Sequence, residues 1–111
     1  MIIRIFEVTI HSEFRAEFER DFNTISVDTV NNHKGLISCR VGGPTKWNPD
    51  DYVMVTCWED DDSLAAFAGE EWNQAIIPQE MQKYPKSFRV AHFDSSPFAD
   101  AGKLTDKAQA L

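Results

Sequence analysis

Apolar residues alternate along the first ten positions of the chain, which predicts a β-strand at Ile2–Ile10. One predicted face carries Ile2, Phe6, Val8 and Ile10, and the other carries Ile3, Ile5 and Thr9. Because both faces carry apolar groups, we expect both faces of this strand to be covered in the folded protein.

The stretch that follows has the spacing of a helix that packs on a sheet. Ser12 can cap its start, because a serine hydroxyl accepts a hydrogen bond from an otherwise unpaired backbone N–H. The apolar stripe consists of Phe14, Phe18, Phe22 and Ile25, and charged residues occupy the opposite, solvent-facing side of the helix. Gly35 can adopt the left-handed conformation that often ends a helix.

Three further strands are predicted at residues 36–41, 52–59 and 87–94. A turn-rich connection with Gly42, Gly43 and Pro44 separates the first two of them. Before the last strand, acidic residues 60–62 suit the start of a short helix that is interrupted at Gly69. A second helical piece is predicted from residue 71 or 72 to about residue 84, kinked or divided by Pro78.

The order strand, helix, strand, strand, helix, strand predicts an α+β, ferredoxin-like βαββαβ fold. Its four-stranded antiparallel sheet would carry the helices on one face, within a domain at residues 1–94. The other face would remain apolar, so we expect a homodimer through sheet-to-sheet contact that closes a dimeric α/β barrel. The tail at residues 95–111 lacks periodicity, and we expect it to be mobile or packed on the partner.

Composition excludes several classes of function. The 111 residues carry a net charge of −7 with scattered basic residues, which disfavours nucleic-acid binding and adhesion to an anionic membrane. No apolar run approaches the roughly 20 residues of a membrane span, and no signal-peptide pattern is present, so we expect a cytoplasmic protein. Cys39 and Cys57 lie within predicted strands without metal-ligand spacing, and nucleotide-binding motifs are lacking.

Four stretches together resemble one known family. They are HKGL at residues 33–36, CWEDDDSL at 57–64, FAGE at 67–70 followed by Ala75, Pro78 and Glu80, and VAHFD at 90–94. The chain resembles the antibiotic biosynthesis monooxygenase family over residues 1–94. That resemblance implies a dimeric α/β barrel with a pocket between its helices and its sheet.

The resemblance also implies a cofactor-independent monooxygenase that oxidises a small phenolic or quinol-type aromatic ligand, with no cofactor and no metal. By role and place, Trp72 and Asn73 match the family's tryptophan and asparagine, and Arg89 matches an arginine of the last strand. An indole N–H, an amide and a guanidinium can all donate to a developing oxyanion. His92 is a candidate base, because an imidazole titrates near neutrality.

Two other functions stay open: a non-catalytic dimeric module that binds a small molecule, and isomerase-type proton transfer with His92 or Glu7 as base. Arg89 and His92 are three positions apart, so strand alternation predicts that they lie on opposite sheet faces. Haem degradation is disfavoured, because the places of the family's haem-degrading residues hold Phe6, Phe67 and Ile77.

Overall fold

The computed structural model describes residues 1–72 and 74–98, and it contains one four-stranded sheet. The strands are β1 (Ile2–Ile10), β2 (Leu36–Gly42), β3 (Asp51–Trp58) and β4 (Pro85–Asp94). They lie in the order β2-β3-β1-β4, and each strand is antiparallel to its neighbours. The predicted ferredoxin-like fold is therefore confirmed.

Helical segments cover one face of this sheet. They are a 3₁₀ turn (Ser12–Phe14), α1 (Arg15–Asp21), a π-helical stretch (Phe22–Ser26), α2 (Val27–Asn31), α3 (Asp61–Ala68) and a 3₁₀ turn (Gln79–Met81). Asp60 caps α3 by accepting a hydrogen bond from the Ser63 N–H at 2.8 Å. The structure describes no helix among these that is both long and apolar enough to cross a membrane.

The core between helices and sheet is dominated by aromatic rings. Phe18 and Phe22 of the predicted stripe are buried, and their ring centroids lie 4.9 Å apart. The Phe18 ring also lies 4.6 Å from Tyr52 on β3 and 5.4 Å from Tyr84. The interpretation of this stripe as a sheet-packing face is confirmed.

Two tyrosines of this core also bond to the first helix. The Tyr52 hydroxyl donates to Glu19 and the Tyr84 hydroxyl donates to Asp21, each at 2.6 Å. Burial, reinforced by these bonds, raises the pKa of both phenols. Both rings are therefore held as neutral donors that tie α1 to β3 and to the residue before β4.

Two local predictions were wrong. The described residues of this stretch, 71–72 and 74–84, form no α-helix: they are irregular as far as Pro78, and the 3₁₀ turn Gln79–Met81 follows. Pro78 lacks a backbone donor, and the carbonyls of Trp72 and Gln74 bond to an arginine on β1 instead of continuing a helix. Ser12 makes no side-chain cap, because the first helical region begins with a 3₁₀ turn after His11.

The sheet face away from the helices is left uncovered by the described chain. The register places Ile3, Ile5, Val53, Val55, Cys57, Ala91 and Phe93 on this open face. Most of these side chains are half-buried, and Phe93 is 53% exposed. The predicted partner and the predicted division at residue 94 remain predictions, and residues 99–111 of the tail lie outside the described residues.

Candidate functional site

The first strand places a buried arginine under the helical layer. Arg4 has the same parity as Phe6 and Val8, so its side chain lies on the helix-facing side, and the residue is only 5% exposed. Its Nη1 donates to the Trp72 carbonyl and its Nη2 to the Gln74 carbonyl at 3.0 Å. Nη1 also lies 2.9 Å from Nε2 of His92 on β4.

The contact with Arg4 fixes the protonation of His92. A guanidinium remains protonated and can only donate, so Nε2 of His92 is the acceptor and the proton of the neutral ring sits on Nδ1. Burial, followed by the positive charge of Arg4, lowers the pKa of His92. His92 is therefore neutral near pH 7, and its basic nitrogen is occupied by Arg4.

The structure brings two of the predicted site residues together. The Trp72 and His92 rings meet edge to face, with centroids 4.6 Å apart at 74°. Both residues also contact the Arg4 guanidinium, one through its backbone carbonyl and the other through its imidazole. Asn73, the third predicted residue of this group, lies outside the described residues.

Arg89 lies on the other face of the sheet. The register pairs it with Glu7 on the open face, and its Nε donates to a Glu7 oxygen at 2.9 Å. His92 pairs with Arg4 on the other face, which confirms the prediction that Arg89 and His92 face opposite ways. The structure therefore separates Arg89 from Trp72 and His92, and a catalytic role for Arg89 stays a prediction.

A small cavity lies between the helical segments and the sheet, and we call it the helix–sheet cavity. Its volume is about 40 Å³, and its walls include the Arg4 side chain, Phe6, Phe67 and three hydroxyl-bearing residues. Those three are Ser26, Thr29 and Thr56. Ser26 ends the π-helical stretch, a local irregularity that is frequent at functional sites.

The positive charge of Arg4 has no counter-ion among the described residues. The ion pairs there join other side chains, and the three acceptors around the guanidinium are neutral. Burial accordingly lowers the pKa of Arg4. Because a buried unpaired charge is costly, this cation on a cavity wall is suited to receive an anionic oxygen.

Sequence analysis missed Arg4 as a site residue. The available signal was its parity, since Arg4 is the one charged residue on the strand face that carries Ile2, Phe6, Val8 and Ile10. A charge on a core-facing position needs partners. The partners themselves could not be read from the sequence, because they are backbone carbonyls about 70 positions away.

A second, wider concavity of about 560 Å³ lies on the open face. Its polar walls include the Glu7–Arg89 ion pair, and Thr9, whose hydroxyl donates to Asp51. The ion-paired side chains are 50% and 71% exposed. The ion pair compensates the charges of Glu7 and Arg89, so this concavity offers an anionic ligand no unpaired cation among the described ion pairs.

The described residues do not fit a metal or haem site. No group of three or more metal-ligating side chains occurs among residues 1–72 and 74–98. Phe6 and Phe67 line the helix–sheet cavity, and Ile77 lines a smaller adjoining one. None of the three can ligate iron, and the His92 nitrogen that could do so faces Arg4.

Comparison with known sequences decides the family. The antibiotic biosynthesis monooxygenase profile matches residues 1–78. The chain belongs to the antibiotic biosynthesis monooxygenase family. A comparison with curated proteins gives no significant match.

Solved structures share the fold of this family member. A protein of Deinococcus radiodurans, provisionally assigned as an antibiotic biosynthesis monooxygenase, is similar at 13% identity and a TM-score of 0.68, over 90% of this chain and 97% of that one. Another structure described as an antibiotic biosynthesis monooxygenase gives 15% identity and a TM-score of 0.67, over 87% and 100%.

The haem-degrading protein MhuD of Mycobacterium tuberculosis, solved with two haems in its active site, is also similar to this chain. It gives 19% identity and a TM-score of 0.65, over 92% of this chain and 100% of that one. At these sequence identities the structural similarities establish the fold only, and the chemistry has to be argued from the residues of the site.

Proposed function

We propose that this chain is a cofactor-independent monooxygenase that binds a small phenolic or quinol-type aromatic as its anion in the helix–sheet cavity. The observation that carries the proposal is the Arg4 guanidinium, which is 5% exposed and held by neutral acceptors alone. A phenolate oxygen would supply the negative charge that the described site lacks.

The donor count of Arg4 supports this role. A guanidinium carries five N–H groups, and the bonds to Trp72, Gln74 and His92 use three of them. The remaining two have no partner within the described residues. An ionised acceptor makes stronger hydrogen bonds than a neutral one, so a phenolate at this wall would be held by charge as well as geometry.

Stabilising the anion is what cofactor-free oxygenation requires. An ionised phenol or enol is electron-rich enough to reduce dioxygen. With a hydroquinone, one O₂ converts a ring C–H into C–OH and the quinol into the quinone, with loss of one H₂O; with an anthrone, one O₂ converts the ring CH₂ into C=O, again with loss of one H₂O. Arg4 would lower the barrier by stabilising the negative charge of the deprotonated substrate. His92 would keep the guanidinium oriented, because its Nε2 accepts from Nη1.

Oxygen uptake tests the proposal. We expect consumption of O₂ above the buffer rate with at least one member of a panel of hydroquinones and anthrones. We expect Arg4→Met to lose at least tenfold in rate, whereas Arg20→Met, the same change at an exposed position on α1, should retain it. Arg89→Met tests the sequence-based assignment of that residue, and we expect it to retain activity.

Each contrary outcome points to a specific alternative. Ligand binding without O₂ uptake would support the non-catalytic binding module. Exchange of solvent protons with protons of a bound carbonyl compound, without O₂ uptake, would support an isomerase. The isomerase proposal is less favoured, because His92 must first release Arg4 to act as a base and Glu7 is ion-paired on the open face.

We also propose that a second copy of the chain covers the open face. The support is its apolar content, with Ile5 flanked by Val55 and Ala91 in the register, and Phe93 exposed nearby. A sheet face of this kind gains about 25 cal/mol for each Å² of apolar surface that a partner buries. The two sheets would then form the barrel, with each helix–sheet cavity on the outside of it.

A further inference from the structure

Three polar side chains form one row across the helix-facing side of the sheet, and we call it the polar row. Its members are Thr56 on β3, Arg4 on β1 and His92 on β4, because the register pairs Arg4 with both of the others. The next row along this face is apolar, with Met54 paired to Phe6. Two members of the polar row, Arg4 and Thr56, line the helix–sheet cavity side by side.

The Thr56 hydroxyl has a proton without an acceptor in the described part of the chain. Thr56 is 2% exposed, and its oxygen accepts the Trp58 indole N–H at 2.9 Å. An indole and a guanidinium only donate, so neither Trp58 nor Arg4 can accept the Thr56 proton. Among residues 1–72 and 74–98, no other group accepts it either. A buried hydroxyl with an unused donor is suited to the oxygen of a ligand.

The Trp58 ring holds the Thr56 hydroxyl in place. Trp58 is 0% exposed and stacks on Phe67, with ring centroids 5.2 Å apart at 21°. Because its indole N–H occupies one lone pair of the Thr56 oxygen, the O–H bond has to turn away from Trp58. Hydrogen bonds in a chain polarise one another, so a hydroxyl that already accepts a bond is a stronger donor. Thr56 is therefore a preorganised donor on the cavity wall.

From these contacts we infer that Thr56 is a second donor to the anionic oxygen of the ligand, beside Arg4. The inference deepens the proposed function and rests on it for the identity of the ligand. Directly opposite residues on one face of an antiparallel pair have Cβ atoms about 4.5–5.5 Å apart, so the Thr56 O–H and an N–H of Arg4 can reach the same oxygen. The contacts that Arg4 already makes stay intact, because the anion uses the N–H groups that they leave free.

Two probes test this donor on the full-length protein. They are 4-nitrophenol at a pH where the phenol is ionised, and its neutral methyl ether, 4-nitroanisole, each titrated and followed by absorbance. Thr56→Val keeps the shape of the side chain and removes the O–H. We expect it to reduce the ratio of phenolate affinity to ether affinity by about tenfold or more, because a hydrogen bond to a charged group is lost. Thr56→Ser keeps the hydroxyl and should retain the ratio.

Thr24→Val is the matched control for the loss of a threonine hydroxyl. Thr24 is exposed, and its hydroxyl donates to the Arg20 carbonyl at 3.1 Å, so this variant should leave the affinity ratio unchanged. Far-UV circular dichroism shows whether Thr56→Val is folded. An unchanged affinity ratio in folded Thr56→Val would overturn the inference, and the proposed function would still stand if Arg4→Met weakens phenolate binding.

A measurement on the wild-type protein decides the inference even if Thr56→Val does not fold. The Trp58 indole N–H resonance, followed by two-dimensional NMR of ¹⁵N-labelled protein, reports the bond to Thr56, and the exposed Trp47 indole is the internal control. When the Thr56 O–H bonds to an anion, polarisation of its oxygen should shift the Trp58 proton downfield and leave Trp47 unchanged. The phenolate should cause this shift and the ether should not. A Trp58 resonance that does not move with phenolate bound would overturn the inference.

Sodium formate at constant ionic strength separates the donor pair from the choice of ligand. Formate carries an anionic oxygen without an aromatic ring, and we expect it to cause the same downfield shift of Trp58. If formate moves Trp58 and the phenolate does not bind, the two donors stand and the proposed aromatic ligand is wrong. If neither anion moves Trp58, the role of Thr56 is overturned, and oxygen uptake decides the proposed function separately.

Discussion

Replacing Thr56 with valine perturbs one buried hydrogen bond with almost no change in volume. The Trp58 indole N–H donates to the Thr56 hydroxyl at 2.9 Å, and the two residues are 0% and 2% exposed. Valine keeps the shape of threonine but cannot accept, so the indole N–H stays buried without a partner. Leaving a buried donor unsatisfied costs about 1–3 kcal/mol. We expect the free energy of unfolding to fall by about 2 kcal/mol, near the middle of that range.

The assay is urea unfolding followed by far-UV circular dichroism at one fixed protein concentration, because a dimer makes stability depend on concentration. In a thermal melt the same loss should lower Tm by about 8–16 °C. Thr56→Ser is the matched control: it keeps the acceptor and removes one methyl group, which costs about 1 kcal/mol. Trp58→Phe removes the donor, so Thr56→Val should cost about 1–2 kcal/mol less in that background. Strict additivity of the two changes, within about 0.5 kcal/mol, would refute the reasoning.

Three further predictions concern other parts of the molecule. The pKa of His92 is lower in the folded protein than its unfolded value of about 6.5, so the unfolded chain binds more protons below that pH. The free energy of unfolding should therefore fall as pH drops from about 6.5 towards the folded pKa. His92→Asn should flatten this pH dependence in urea unfolding, and an unchanged pH dependence would contradict the lowered pKa. Gly69→Ala should cost about 1–3 kcal/mol through the positive φ alone, measurable as a lower Tm, and an unchanged Tm would show that the turn relaxes freely. Ile5→Arg on the open face should convert a sedimenting dimer into a monomer of 12.7 kDa, and a wild-type protein that is already monomeric would remove the basis of the barrel.

The strands and the first helix could be predicted because their patterns are local and periodic. The alternation in Ile2–Ile10 places its two faces correctly, and the stripe that contains Phe18 and Phe22 packs on the sheet as its spacing indicates. The same alternation predicts that Arg89 and His92 lie on opposite faces, as the register shows. Periodicity succeeds here because each element buries one regular face.

The conformation of the described residues between α3 and the 3₁₀ turn Gln79–Met81 could not be predicted, because it is set by contacts that are distant in sequence. Residues 71–84 have helical composition, yet Arg4 binds two of their carbonyls and Pro78 interrupts them. The family resemblance makes Trp72 a candidate and the imidazole pKa makes His92 one, whereas their contact with each other is a property of the fold. The lack of a counter-ion at Arg4 among the described residues could not be predicted, because its partners are neutral groups at distant positions in the sequence.

The most direct test of the account is the pKa of a phenol bound to the protein. If the buried Arg4 guanidinium receives a phenolate, spectrophotometric titration of bound 4-nitrophenol should give a pKa about 1–3 units below that of the free phenol. Arg4→Met should abolish this lowering, and Arg20→Met should retain it. A bound phenol whose pKa is unchanged or raised in the wild-type protein would contradict the claim that Arg4 makes this cavity a site for anionic aromatics.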